Sequence, residues 1–386
     1  MKSTAIPTNT GRIQSVDVLR GLIMVLMAID HVRVYSGIPA GGPDPGIFFT
    51  RWITHFCAPG FAFLAGTSAF LYGAKIGDTA KLARFLVTRG IFLVVLEITV
   101  IRFLWAFHVN FSEFFLAGVI WMLGWCMVLL AAFVRLKPQI VGWIGLGIIF
   151  LQQLFSYVPL MVPESGRAAF GKIWEFVYPA GLETFGSVSV LYVLVPWIGV
   201  MAAGYGFGLV LQLDAERRRR ICLRIGLGAI VLFLVAGTIR TLTNPAPPEA
   251  PPFLFRLLNQ NKYPASQLFL LMTLGPLIAL IPYADRMKGW LATALKTIGR
   301  VPFFYYLLHI PLIHISALAV QLIKDGGMHH DWFTYAPYTS IPEAFRWNLG
   351  LLYLVYAVDV AILYFICRWY AGYKAAHPEN RWLKFL

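Results

Sequence analysis

The chain has 386 residues, of which 59% are hydrophobic and only 13% charged, and its mean hydropathy is +0.70. A soluble domain carries about 25% charged residues, so this composition excludes an ordinary soluble protein and predicts an all-α polytopic membrane protein. The net charge of +14 would favour nucleic acid in a soluble protein. In a membrane protein, lysine and arginine flank the helices instead, so no nucleic-acid partner is expected.

Apolar runs of about 20 residues recur along the whole chain, between clusters rich in proline, glycine and charge. They predict about ten transmembrane helices in one bundle, at about residues 15–36, 49–73, 86–107, 113–134, 139–160, 187–211, 221–241, 264–283, 298–323 and 347–370. The helical domain is therefore expected over residues 15–370, between an N-terminal segment, 1–14, and a C-terminal tail, 371–386. No internal repeat is visible, which gives no support to an inverted-repeat transporter.

The distribution of lysine and arginine orients the chain. With the N-terminus in the cytoplasm, the inner segments hold about twice as many of these residues as the outer segments. Because positive residues collect on the cytoplasmic side of membrane proteins, we expect both termini to be cytoplasmic.

The first predicted helix carries an unusual number of ionisable residues, each of which is costly in lipid. They are Asp17, Arg20, Asp30, His31 and Arg33. Arg20 and His31 are separated by three helical turns plus about 20°, so they share one face and lie roughly 16 Å apart. In the predicted orientation, Arg20 lies towards the cytoplasm and His31 towards the far side.

Arg20 allows two interpretations. It either reaches the inner headgroups beside Asp17, or it binds an anion such as a phosphate. Since Asp17 would neutralise Arg20, a pyrophosphate needs a second cation. Arg300, which opens the ninth predicted helix on the same side, is the candidate.

A second group of candidates lies on the far side, where His55 begins the second predicted helix at a depth similar to that of His31. Adjacent residues on a helix point about 100° apart, so Asp30 cannot orient His31 but could orient His55. An aspartate and two histidines predict either an acid/base centre or a structural hydrogen-bond network between the first two helices. No HxxxH or HxH spacing occurs around them, so no metal site is expected.

Three further residues are expected to line a substrate site. His309 lies near the middle of the ninth predicted helix, and Lys262 and Tyr263 belong to a polar far-side segment, 259–264.

Four segments of the sequence are together typical of one family. They are Arg12-x-x-Ser-Val-Asp-Val-Leu-Arg-Gly-Leu-x-x-x-Leu-Met followed by Asp30-His31, Ala58-Pro-Gly-Phe-Ala-Phe-Leu-Ala-Gly-Thr-Ser, Lys262-Tyr-Pro-Ala-Ser, and Gly299-Arg-Val-Pro-Phe-Phe-Tyr-Tyr-Leu-Leu-His. The chain resembles the bacterial members of the heparan-α-glucosaminide N-acetyltransferase catalytic-domain family. The pattern Arg20-x10-His31 is also similar to the Arg-x10-His signature of the acyltransferase type 3 family.

This resemblance implies a membrane acyltransferase. Such an enzyme would take an acyl group, acetyl in particular, from cytoplasmic acyl-CoA and deliver it to a saccharide or lipid-linked sugar on the far side. Arg20, Asp17 and Arg300 would then bind the donor. Acyl-CoA would be a co-substrate, and no permanently bound cofactor is expected.

The resemblance also assigns the catalytic histidine, with one departure. By position, His31 would be catalytic, supported by His55 and Asp30. In the animal heparan enzyme this histidine lies in the loop between the first two helices, and here residues 33–51 contain none. Either His31 or His55 takes that role, or the chemistry differs.

The expected setting is the inner (plasma) membrane, with the chain as a multi-pass protein of the cell envelope. Membrane lipid and the sugar acceptor are the expected partners, and a homodimer is left open. The rival hypothesis is a transporter or flippase of an anionic amphiphile, which would use the same buried charges as a pathway.

Overall fold

The computed structural model describes residues 13–110, 114–179, 187–247, 249–377 and 379–380. These residues form a helical bundle. Its helices are α1 (Gln14–Ser36), α2 (Pro45–Trp52), α3 (Cys57–Ile76), α4 (Thr79–Leu96), α5 (Arg102–Ala106), α6 (Val119–Phe133), α7 (Pro138–Leu151), α8 (Glu164–Trp174), α9 (Leu194–Leu211), α10 (Ala215–Thr243), α11 (Phe253–Leu258), α12 (Gln267–Arg286), α13 (Gly289–Arg300), α14 (Pro302–Asp325) and α15 (Leu349–Ala376).

Short elements connect these helices. A 3-10 turn, Ile53–Phe56, joins α2 to α3, and a π-helical turn, Glu97–Ile101, joins α4 to α5. Strands β1 (Phe115–Ala117) and β2 (Val188–Val190) pair in parallel, with Leu116 opposite Ser189. Further 3-10 turns cover Gln152–Met161, His330–Phe333 and Glu343–Phe345.

Seven helical segments of the described chain are long and apolar enough to cross a membrane. They are Pro45–Ile76, Pro138–Met161, α9, α10, α12, α14 and α15. Helices also occur at the other three predicted positions, but α1 and α4 carry more charge and α6 has only 15 residues. The prediction of a helical, multi-pass membrane protein is confirmed, whereas the total of about ten spans and the cytoplasmic termini stay predictions.

One predicted boundary is wrong. Arg300 does not open the ninth membrane helix but ends the separate helix α13, and α14 begins at Pro302. Val301 between them has φ −130° and ψ 48°, outside the helical region. The cause is steric, because the ring of a proline disfavours helical backbone at the residue before it.

The predicted N-terminal segment lies almost entirely outside the described residues, and the predicted C-terminal tail lies partly outside them. Residues 1–12, which include Arg12 of the first motif, and residues 381–386 are not described. Helix α15 continues to Ala376, beyond the predicted end of the helical domain at residue 370.

Helix α1 lies in the centre of the bundle and contacts α3, α12, α13, α14 and α15. Its closest neighbour is α13, and two glycines allow the two helices to approach so closely. An added Cβ at Gly21 would overlap the carbonyl oxygen of Leu295, and one at Gly299 would overlap that of Asp17. The two backbones therefore touch directly beside Arg20.

The buried Glu97 directly follows the C-terminal residue of α4 and joins this region to α6. One of its carboxylate oxygens accepts hydrogen bonds from the backbone N–H groups of Ile120 (3.1 Å) and Trp121 (3.3 Å). These groups open α6 and have no partner within that helix. The carboxylate therefore stabilises the start of α6 and ties it to the π-helical turn.

Candidate functional site

Two histidines from distant parts of the chain meet in the bundle. Nδ1 of His31, on α1, lies 2.6 Å from Nε2 of His309, on α14, and the rings stack with centroids 4.8 Å apart. His309 is completely buried, whereas His31 is partly exposed. The pair thus has one enclosed ring and one partly exposed ring.

The backbone of α14 determines how the protons are placed. Nδ1 of His309 lies 2.6 Å from the carbonyl oxygen of Tyr306, which can only accept a hydrogen bond. Nδ1 of a neutral His309 therefore carries the proton, and its Nε2 is an acceptor. His31 must then donate from Nδ1, which leaves the lone pair on its Nε2.

The lone-pair nitrogen of His31 faces no hydrogen-bond donor from the part of the chain that the structure describes. Among the described residues, the structure gives Nε2 of His31 no hydrogen-bond partner. The indole of Trp105 packs edge-on against this ring, with centroids 4.8 Å apart, and the backbone carbonyl of Trp105 accepts a hydrogen bond from Tyr35. His31 is thus held on two sides, with one nitrogen ready to accept a proton or attack a carbonyl.

The expected contact between Asp30 and His55 does not form between these described residues. The Asp30 carboxylate accepts a 3.0 Å hydrogen bond from Nε of Arg33, one turn along α1. His55 is buried in the 3-10 turn before α3, with its ring 5.5 Å from that of Phe269. The partner of His31 is therefore His309 and not His55, while the catalytic roles of these residues stay predictions.

Arg20 occupies one end of a cavity of about 330 Å³ between α1, α3, α4, α6 and α14. Its guanidinium donates to the carbonyl of Gly299 (3.1 Å) and the hydroxyl of Ser68 (2.6 Å), and lies 3.6 Å from the carboxylate of Asp17. These contacts hold the guanidinium of Arg20 against the protein, with 19% of its side chain exposed. The predicted pair of Arg20 with Asp17 is present.

Arg89, on α4, is the second cation in the lining of this cavity. The rest of the lining is mostly apolar, and it includes Tyr306, whose carbonyl holds His309. The same cavity is therefore lined by the two arginines, Arg20 and Arg89, and by Tyr306, whose carbonyl orients the histidine pair.

Arg300 does not contribute to this cavity. Its side chain is exposed and is not part of the lining, and only the neighbouring Gly299 contacts Arg20. The place expected for Arg300 is taken by Arg89. One sequence signal pointed to Arg89, since it is a cation inside the third predicted helix and falls on the same side as Arg20.

A second cavity, of about 410 Å³, contains both Lys262 and Tyr263. The Lys262 ammonium lies 5.1 Å from the centroid of the Tyr263 ring and 5.8 Å from that of Tyr192. Burial opposes the charge of Lys262, but Tyr263 and the Asp30 carboxylate outweigh this effect, so the pKa of Lys262 lies above its ordinary value. Lys262 is therefore a permanent cation near the C-terminal half of α1.

The sequence profile of the family described as heparan-alpha-glucosaminide N-acetyltransferase, catalytic, matches residues 12–240, which is more than half of the chain. The chain belongs to this family. No curated protein matches it in a sequence search. Together with the apolar helices, membership of the heparan-alpha-glucosaminide N-acetyltransferase family indicates a multi-pass membrane transferase of the acetyltransferase type.

The match to this family covers only part of the site. Arg20, His31 and Arg89 lie within the matched residues, whereas Lys262 and His309 lie beyond them. The structure therefore connects the matched region to the C-terminal helices through the histidine pair.

Proposed function

We propose that this protein is an inner-membrane acyltransferase that moves an acetyl or related acyl group from acyl-CoA to a saccharide or lipid-linked sugar. The observation that carries this proposal is the free Nε2 of His31, which lies on the same helix as Arg20. His309, on α14, fixes the proton on the other nitrogen of the His31 ring. An imidazole whose free nitrogen is fixed in this way suits general-base or nucleophilic catalysis.

Arg20 and Arg89 would bind the pyrophosphate of the donor. Two guanidinium groups at one end of an apolar cavity suit a ligand with an anionic head and a long, weakly polar arm. Asp17 and Ser68 hold Arg20 in place. The acyl arm would extend through the cavity towards Tyr306 and the histidine pair.

His31 would then act as general base. The acceptor hydroxyl or amine attacks the thioester carbonyl while its proton passes to Nε2 of His31. The new C–O or C–N bond forms, the C–S bond breaks, and the proton passes from His31 to the departing thiolate. The nearby Asp30 carboxylate, whose charge interacts with His31, stabilises the imidazolium.

An acyl-histidine intermediate is the alternative route and uses the same lone pair. Nε2 of His31 would attack the thioester and release the thiol, and the acceptor would then attack the acyl group on the ring. Both routes require His309 to hold the proton on Nδ1 of His31. His55 has no such place in either route, because its ring faces Phe269.

The test uses the purified full-length protein in nanodiscs with radiolabelled acetyl-CoA. We expect slow release of labelled acetate without an acceptor and transfer when a saccharide acceptor is supplied. The substitution His31→Ala should abolish turnover, whereas His55→Ala should retain it and the exposed control His330→Ala should match the wild type. If acetyl-CoA neither binds nor turns over while a labelled anionic solute crosses protein-containing liposomes, the transporter hypothesis replaces this proposal.

A further inference from the structure

The cavity around Lys262 and Tyr263 is strongly cationic. Its ten lining residues include four cations and no carboxylate. The cations are Arg51, Arg240, Arg256 and Lys262. The remaining lining residues are polar, apart from the ring of Tyr263, and they include Asn244, Asn259, Gln260 and Asn261. Four cations around 410 Å³ create a positive potential that favours an anionic ligand.

The four cations are not all used by the protein itself. Arg256 donates to the backbone carbonyls of Thr241 (2.8 Å) and Asn244 (3.0 Å), so it closes the end of α10. By contrast, Arg51 and Arg240 take part in none of the ion pairs that join described residues. These two guanidinium groups are therefore available to a ligand.

Lys262 connects this cavity to the histidine pair. It is only 8% exposed, and its charge interacts with Asp30, His31 and His55. A ligand beside Lys262 would therefore lie on the His31 side of α1, opposite to Arg20. This is the side from which an acceptor would have to approach.

We infer that this cavity binds the phosphate group of the acceptor, so that the acceptor is a sugar phosphate or a phosphate-linked sugar and not a neutral saccharide. The inference rests on the proposed acyltransferase function and names its acceptor class. Arg51 and Arg240 bind the phosphate, because guanidinium groups match its geometry. The asparagine and glutamine amides donate to and accept from sugar hydroxyls, and Tyr263 offers a face for the sugar ring.

The test measures binding of two probes to the full-length protein in neutral phosphatidylcholine nanodiscs, without acyl-CoA. The probes are glucose 1-phosphate and the uncharged methyl glucoside. We expect tighter binding of the phosphate probe. Each lost charged hydrogen bond weakens binding by about 10-fold or more, so the double variant Arg51→Gln/Arg240→Gln should lose about 100-fold in affinity for this probe. The affinity for the uncharged probe should not change.

The matched control is Arg224→Gln, an exposed arginine at the other end of α10, which should bind both probes as the wild type does. Equal binding of the two probes, or an equal loss in Arg224→Gln, would overturn the inference. If anionic phosphatidylglycerol in the nanodisc displaces the phosphate probe completely, the cavity is a lipid headgroup site, and the assignment to the acceptor is wrong.

Failure of this inference is separable from failure of the proposed function. The binding measurement needs no turnover, and acetyl-CoA hydrolysis by the wild type is measured without any sugar. A protein that hydrolyses acetyl-CoA but does not prefer the phosphate probe is an acyltransferase with another acceptor.

Discussion

At the scale of single residues, the proton on the histidine pair is set by the backbone. The carbonyl of Tyr306 can only accept, and this one property decides which nitrogen of His309 is protonated and, through it, which nitrogen of His31 is free. A neutral buried histidine thus does for His31 what a carboxylate does in many acid/base pairs, without placing another charge in the bundle.

The substitution His309→Ala tests this role. It removes the acceptor for Nδ1 of His31, so the free lone pair is no longer confined to Nε2, and we expect kcat for acetyl-CoA turnover to fall about 100-fold. The KM for acetyl-CoA should stay within about two-fold, because Arg20 and Arg89 are untouched. Steady-state kinetics as a function of pH measure both effects.

The control for this experiment is Tyr370→Phe. It removes another buried polar group from the helical bundle, a hydroxyl that has no hydrogen-bond partner among the described residues. Its kinetics should match the wild type. A His309→Ala variant with unchanged kcat and pH profile would show that the pair is structural.

Site residues that lie close together in the sequence could be predicted to be neighbours, whereas those far apart in the sequence could not. Arg20 and His31 lie on one continuous helix, as predicted, and the helical repeat alone is enough to predict that they share one face. His309 lies 278 residues from His31, and no spacing rule connects residues on different helices. The place of Arg89 depends in the same way on which helices become neighbours. The pairing of Asp30 with Arg33 does not, because residues three apart on one helix are neighbours, so the helical repeat could have predicted it.

At the scale of elements, the apolar runs located the long helices because a lipid-facing helix must be apolar whatever it packs against. They started the ninth predicted helix at residue 298, inside the last turn of α13, because α13 and α14 join at a single residue, Val301. Pro302 is the local signal for this boundary, because proline is favoured at the first position of a helix.

The close crossing of α3 and α9 gives a prediction at this scale. An added Cβ at Gly66 would overlap the backbone carbonyl of Met201, so Gly66→Ala must push the two helices apart. We expect a loss of about 1–3 kcal/mol in stability, measured as a lower Tm of the detergent-solubilised protein. Small residues are what allow such approach in membrane helices.

Gly147→Ala, on α7, is the matched control. A Cβ there meets nothing within 4 Å. Replacing glycine by alanine in a helix should then stabilise the protein by about 0.5–1 kcal/mol. Equal Tm changes in the two variants would contradict the role given to close packing.

At the scale of the whole molecule, the orientation in the membrane is still a prediction from the charge distribution. All four cysteines are buried, so introduced surface cysteines can be labelled selectively. In intact cells, a membrane-impermeant maleimide should label Glu343→Cys, in an outer segment, but not Lys137→Cys, in an inner one. Lysis should expose the second site, and the reverse pattern would invert the assignment of sides.

Helix α1 also has a consequence for the choice of donor. It runs without a break from Arg20 to His31, and its backbone is pressed against α13 at Gly21, so these two residues are held roughly 16 Å apart. A donor whose anionic head is bound at Arg20 places its thioester at the imidazole only if the thioester carbonyl lies at about that distance from the head. Helix α1 would therefore set the length that the carrier arm must have. Donors would be selected first by the length of this arm and only then by the identity of the acyl group.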